Sequence, residues 1–242
     1  MDNPYMPILA WHFLPADRHL AYGERKLVTL GETISVTPTP VMCEHGLHWS
    51  ENVLDAVRYA SGPIACLVHA TGIIVLGHDK GCSTERTVVA WIDATAILHT
   101  FACEVAEQAL YRERDAGREP DERSWAAITA KRVWLRGEIG NEILMEARVT
   151  ARTVAYQADL KPESAIKAAS AAVAAASVEP LAAVKYVVDK AAWAAALDGT
   201  ECKGLDKTLL MASRKAAVAA ALAEYNRMLT TVLTTALGEP HA

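Results

Sequence analysis

Hydrophobic positions along this chain change their spacing once. Up to about residue 92 the apolar stretches are short, continuous or alternating, and are cut by turn formers. Ile8–Leu14, 26–30 and 33–37 are such runs, separated by Pro15, Gly23, Gly31, Pro38 and Pro40, a pattern that predicts brief strands. Residues 64–70, 72–76 and 87–92 are rich in β-branched side chains and predict further strands, with 78–85 as a polar loop. One helix interrupts them. Val53, Leu54, Val57 and Ala60 recur at steps of three and four, Ser50 is placed to cap them, and Ser61-Gly62-Pro63 ends the run.

From Asp93 onward the period is 3.6. Ile97, Leu98, Phe101, Val105 and Ala109 form one face of a helix predicted over 93–114, and the charged segment 115–120, with Gly117 and Pro120, follows it. This segment is read as a domain boundary, giving an α+β domain over 1–117 and a helical domain over 118–242. Asp121 opens a long helical pattern through Trp125, Ile128, Leu135, Ile139 and Ile143, whose middle Gly137 and Gly140 weaken by roughly 1 kcal/mol each relative to alanine. Pro162 and Pro180 occupy first-turn positions, so 163–177 and 180–197 are separate helices. A last long helix over 206–237 is closed by Gly238 and Pro240. The fold class is therefore α+β: a small mixed unit of short strands with one helix, then a C-terminal Ala-rich helical bundle.

Composition changes this picture in two places. With 52% hydrophobic and 22% charged residues the chain has the means to fold. Only two phenylalanines are present, and alanine saturates the last third. Alanine faces bury little area but allow close helix approach, so the bundle is expected to gain stability from many helices or from a homo-oligomer. Lys167, Glu179, Lys185 and Lys215 interrupt the Ala-rich stretches, which argues against a membrane span. The start of the chain shows no basic-then-apolar leader, and the expected location is the cytoplasm. Five cysteines, odd in number and irregularly spaced, are expected to be free thiols.

Charge is uneven. Residues 1–117 carry 8 basic against 14 acidic side chains, a net −6, and 118–242 carry 16 against 15, together the −5 of the chain. Neither half clusters positive charge, which disfavours direct nucleic-acid binding. Glu138, Glu142 and Glu146, at four-residue steps, are a solvated stripe. No Gly-x-Ser-x-Gly, Gly-x-x-x-x-Gly-Lys-Ser/Thr or Gly-x-Gly-x-x-Gly stands behind a hydrolase, P-loop or dinucleotide-fold reading.

The densest set of reactive residue types is Cys43-Glu44-His45-Gly46-Leu47-His48-Trp49-Ser50. Cys43, His45 and His48 offer three metal ligands, with His78 or Cys82 as a fourth, although this spacing is tighter than the usual zinc patterns. The plainer alternative makes Cys43 a small core residue and His45 a surface one.

Three segments in order resemble the motifs of the ADP-ribosyltransferase fold over residues 8–92: a histidine on a strand in Ala10-Trp11-His12-Phe13, the run from Gly46-Leu47-His48-Trp49-Ser50 into a helix, and the glutamate of Thr84-Glu85-Arg86-Thr87 before an apolar strand. The resemblance implies NAD as cofactor. Glu85 would stabilise an oxocarbenium-like state, with His12 on a ribose hydroxyl and His48 on the nicotinamide. Ser50 would sit at a helix N-terminus near an amide or phosphate, and Lys80 and Arg86 would neutralise the pyrophosphate. His48 stands where that family usually has tyrosine, and only 37 residues separate it from Glu85.

A wider resemblance spans Trp11-His12-Phe13, the Cys-Glu-x-Gly-Leu-His-x-Ser motif from Cys43 to Ser50, Asp79-Lys80, Thr84-Glu85-Arg86-Thr87 and the helix with Ala191-Ala192-Trp193. In these segments the chain is similar to a family of phage and prophage proteins with Ala-rich tails. That similarity implies an accessory protein in a host bacterial cytoplasm, directed against the host. Two functions are then expected. In one, the acidic N-terminal domain binds and inhibits a host protein complex while the helical tail self-associates. In the other, the protein is an NAD-dependent ADP-ribosyltransferase-like enzyme acting on a host target.

Overall fold

The computed structural model describes residues 6–21, 23, 25–156, 162–198 and 206–238. It is mixed α/β, with one antiparallel sheet and, among the described residues, seven helices. Two compact units divide it: 1–95 with 228–242, and 96–227. The division falls at Thr95/Ala96, a helix earlier than the 115–120 segment expected from composition. That segment is instead pinned inside the second unit, where Arg118 bonds both carboxylate oxygens of Glu113 and also pairs with Asp198.

In the first unit β1 (Ile8–Leu14) pairs with β4 (Ile64–Leu76), and β4 with β5 (Gly81–Asp93). The far edge of β5 carries β2 (Thr33–Ser35) against residues 85–87 and β3 (Leu47–Trp49) against residues 81–83. Just past β3, Ser50 and Trp11 exchange two backbone hydrogen bonds of 2.8 and 3.0 Å. The circuit β1-β4-β5-β3-β1 is thereby closed by a single bridge, while β2 keeps one edge unpaired by any strand. Two bulges bend the long strands enough to close it. Between Leu67 and Val68 the register of β4 against β5 shifts by one residue, and between Thr71 and Ile74 it shifts again. Gly72 sits in the second bulge at φ +74. Ala10, Leu14, Leu47, Trp49, Cys66 and Val88 belong to the core of this unit.

Some expectations for this unit change. Residues 26–30 are not a strand; only an isolated bridge, His19 to Leu27, forms there. The predicted polar loop 78–85 is already strand from Gly81, because partners on both edges impose it. The expected first helix is the short α1 (Val53–Arg58), with Asn52 at its N-cap position making no side-chain cap bond; Ser50 is a strand extension and caps nothing.

The second unit holds most of α2 (Thr95–Asp115), then α3 (Glu122–Leu135), α4 (Asn141–Tyr156), α5 (Glu163–Ala175), α6 (Pro180–Asp198) and α7 (Lys207–Leu237) up to Arg227. Asp121 caps α3, its side chain accepting from the Arg123 amide. The helical pattern from Asp121 breaks in two at Gly137. This residue has φ +75, its amide bonds Trp134 O, and the Glu138 amide bonds Val133 O, a Schellman end. Facing alanines such as Ala168, Ala172, Ala191 and Ala192 are fully buried, so α5 and α6 pack closely. Among the described residues no helix is long and apolar enough to cross a membrane. Cys43, Cys66, Cys82 and Cys103 are free thiols; Cys202 and Pro240 lie outside the described residues.

Candidate functional site: a cavity with a buried arginine

The first unit contains a cavity of about 460 Å³, within the range of about 300–1,000 Å³ usual for small-molecule sites. Its walls come from β1, β3, the turn before β3, and the ends of α1 and of the β4–β5 hairpin. Trp11, His12, Phe13, His48, Trp49 and Arg86 are among the residues that line it.

Arg86 is 2% exposed. One amine, Nη1, donates to the His48 carbonyl at 2.6 Å, while Nε is buried with no hydrogen-bond partner. The ion pairs found among the described residues all lie elsewhere. A guanidinium taken from water without a carboxylate bears a penalty of several kcal/mol. Burial pushes its pKa down to about 10, and the Cys66 thiol beside it offsets this only in part.

Both histidines are held neutral. Burial lowers the pKa of His12 well below its ordinary value, and Arg86 and then His48 add to the effect. Burial likewise lowers that of His48, followed by Lys80 and Arg86. His48 Nε2 accepts the Cys43 backbone N–H at 3.1 Å, so that nitrogen carries the lone pair and Nδ1 the proton. His48 thus braces the tight turn from Val41 to His45, which is closed by Val41 N–H to His45 O at 2.7 Å and His45 N–H to Val41 O at 2.9 Å.

The mouth is built around Lys80. Its ammonium lies 4.0 Å over the Tyr59 ring, and the Tyr59 hydroxyl donates to Asp79 at 2.6 Å. A hydrogen bond to the Cys43 side chain raises the lysine's pKa. Cys43 itself has φ +69, a left-handed conformation rare for a residue with a Cβ.

Of the residues singled out from the sequence, His12, His48, Ser50, Lys80 and Arg86 all line this cavity. Glu85 does not. It neighbours Arg86 on β5, where successive side chains leave opposite faces, and its carboxylate accepts from Thr71 Oγ1 at 3.0 Å. The expectation that Glu85 shares a cleft with His12 and His48 is therefore corrected, and Glu44 is the carboxylate that lines the cavity. Ser50 is buried, its backbone tied to Trp11, so it offers no helix N-terminus to an anion. The metal set also comes apart. His48 Nε2 is occupied, His78 is exposed in the hairpin turn, and no group of three or more His, Cys, Asp or Glu side chains among the described residues is placed to hold an ion.

Tyr59 and Glu44 were not picked out as site residues from the sequence. Tyr59 follows the last turn of a short helix, where aromatic residues commonly pack. Its link to Asp79 and Lys80, some twenty positions away, exists only once the β4–β5 hairpin has formed. No family model, curated protein or solved structure matches the chain.

Proposed function

We propose that the N-terminal unit is a receptor for a small organic anion, whose acidic group sits against Arg86 and whose remaining part lies among the other residues that line the cavity. The observation that carries this is the buried guanidinium, which faces a cavity and has no carboxylate partner among the described residues. A bound carboxylate or phosphate would supply the missing countercharge and the bidentate acceptors this group favours. Lys80 at the mouth adds a second positive charge. In the setting the phage resemblance implies, the anion is drawn from the host cytoplasm.

Sugar transfer from NAD is the less supported reading, because the carboxylate it requires is on the wrong face of β5. The test is the melting temperature of the full chain in inorganic phosphate, adenosine monophosphate or NAD, against chloride at matched ionic strength. Ligand at a hundredfold its Kd stabilises by about 2.7 kcal/mol, enough to move Tm by several degrees. The anions are expected to raise Tm in the unaltered protein and not in Arg86→Gln. No shift with any anion overturns the reading, and nicotinamide release from NAD restores the transferase.

A further inference from the structure

We propose that Cys43 is a nucleophile at the mouth of this cavity, its sulfur attacking an electrophilic carbon of the anion that Arg86 holds. The inference rests on the receptor reading and adds a covalent step to it. Three observations place the thiol for such a step. Cys43 is the exposed cysteine among the four described, while Cys66, Cys82 and Cys103 are buried. Its turn holds a left-handed backbone, fixed by the bond from its own amide to His48, and such conformations persist where the surroundings enforce them, often at functional sites. The Lys80 ammonium, held 4.0 Å over the Tyr59 ring, lines the same cavity as Cys43 and gives the thiol an electropositive neighbour.

The independent sign of a ligand is Arg86, buried, unpartnered at Nε and lining the same cavity as Cys43. A lone thiol in a turn would need no such partner within reach of the same bound molecule. With an α,β-unsaturated carboxylate, the carbon–sulfur bond forms at the β-carbon as the carbon–carbon π bond breaks. The electron pair passes to the α-carbon, which takes up the proton the thiol has released. The addition needs neither oxidant nor reductant.

Alkylation by iodoacetate and by iodoacetamide tests the placement, since both transfer the same carbon to sulfur with loss of iodide and only the first carries an anionic group. Peptide mass mapping of the full chain separates Cys43 from the other four thiols. Iodoacetate is expected to modify Cys43 about tenfold faster than iodoacetamide, the size of effect a nearby unscreened cation gives. Excess inorganic phosphate should abolish that preference in the unaltered protein, a result that depends on no variant folding. Arg86→Gln should remove the preference. Equal rates for the two reagents, or a preference that survives both phosphate and Arg86→Gln, overturn the proposal. Phosphate that raises Tm without slowing iodoacetate leaves the receptor reading standing and removes the nucleophile alone. Absence of any Tm shift, in Cys43→Ser as in the unaltered chain, removes the receptor.

Discussion

Lys131 is the least compensated charge in the helical unit. It is fully buried, its ammonium donates to the Ser177 carbonyl at 2.7 Å, and it lies 3.6 Å over the Trp134 ring. Neither partner is a carboxylate, and burial pushes its pKa down to about 8. His99 lies beside the same tryptophan at a ring separation of 5.3 Å, and burial and then Lys131 push its pKa down to about 4, a contact with the Val178 backbone offsetting this only in part. Below pH 8 the folded and unfolded chains both carry the Lys131 proton, and the burden is constant. Between about 8 and the ordinary lysine value of 10.5, the folded chain has released a proton that the unfolded chain retains, so stability rises with pH. The rise is at most about 3 kcal/mol. The buried Cys66 and Cys103 thiols, whose pKa values burial raises, oppose this rise above about pH 9. Urea unfolding across pH 8 to 10.5 should therefore show it as a slope more positive in the unaltered protein than in Lys131→Met; matching slopes in the two would mean that the ammonium is not desolvated. Nothing in the sequence singles out Lys131, because which side of a helix is buried on every flank depends on neighbours that join it later in the chain.

At the scale of elements, two glycines with nearly the same backbone angle act differently. Gly137 ends α3 at φ +75, with open space where a Cβ would go. Gly72 holds the β4 bulge at φ +74, and a Cβ there would lie 2.1 Å from Thr84 Oγ1. That hydroxyl accepts the Ile73 amide at 2.9 Å, so moving it aside also breaks a bond of the bulge. Gly137→Ala should therefore cost about 1 kcal/mol, the backbone preference alone. Gly72→Ala should cost about 2–4 kcal/mol, the sum of backbone strain and a displaced side chain. Thermal unfolding of the two variants ranks them, and equal losses would mean that the bulge yields freely. In the sequence Gly72 separates two strand runs, whereas Gly137 reads as a weak point inside one long helix and not as its end; β1 and the Pro-initiated helices were legible because apolar pattern and turn formers agreed there. What the sequence withheld was register. The strand predicted from residue 87 begins at Gly81, since its polar first half is strand only through pairing with β3 and β4. On a period of two, face parity follows from register, and that parity is why Arg86 rather than its neighbour Glu85 enters the cavity.

Across the whole molecule, each unit buries histidine in neutral form: His12 and His48 in the first, His99 in the second. In every case the folded pKa is depressed, so the stability these groups contribute is complete above the unfolded value of 6.5 and is lost as pH falls below it, for His99 down to about 4. An anion bound at Arg86 would act on the first unit. After burial, Arg86 is what most depresses His12, and it acts on His48 as well. Countercharge at Arg86 should bring both pKa values back toward 6.5 and shrink the acid loss of the first unit, while His99 answers to its own burial and to Lys131. Hydrogen exchange followed by mass spectrometry, from pH 6.5 to 4, resolves peptides of 6–95 from those of 96–227. Without ligand, protection should fall in both sets, with the Cys43 amide failing early because protonated His48 can no longer accept from it. With saturating inorganic phosphate the loss in 6–95 should move to lower pH, and in peptides around His99 it should stay where it was. If phosphate leaves the first unit's acid response unchanged, the charge at Arg86 is not what governs these histidines, and burial alone accounts for their neutrality.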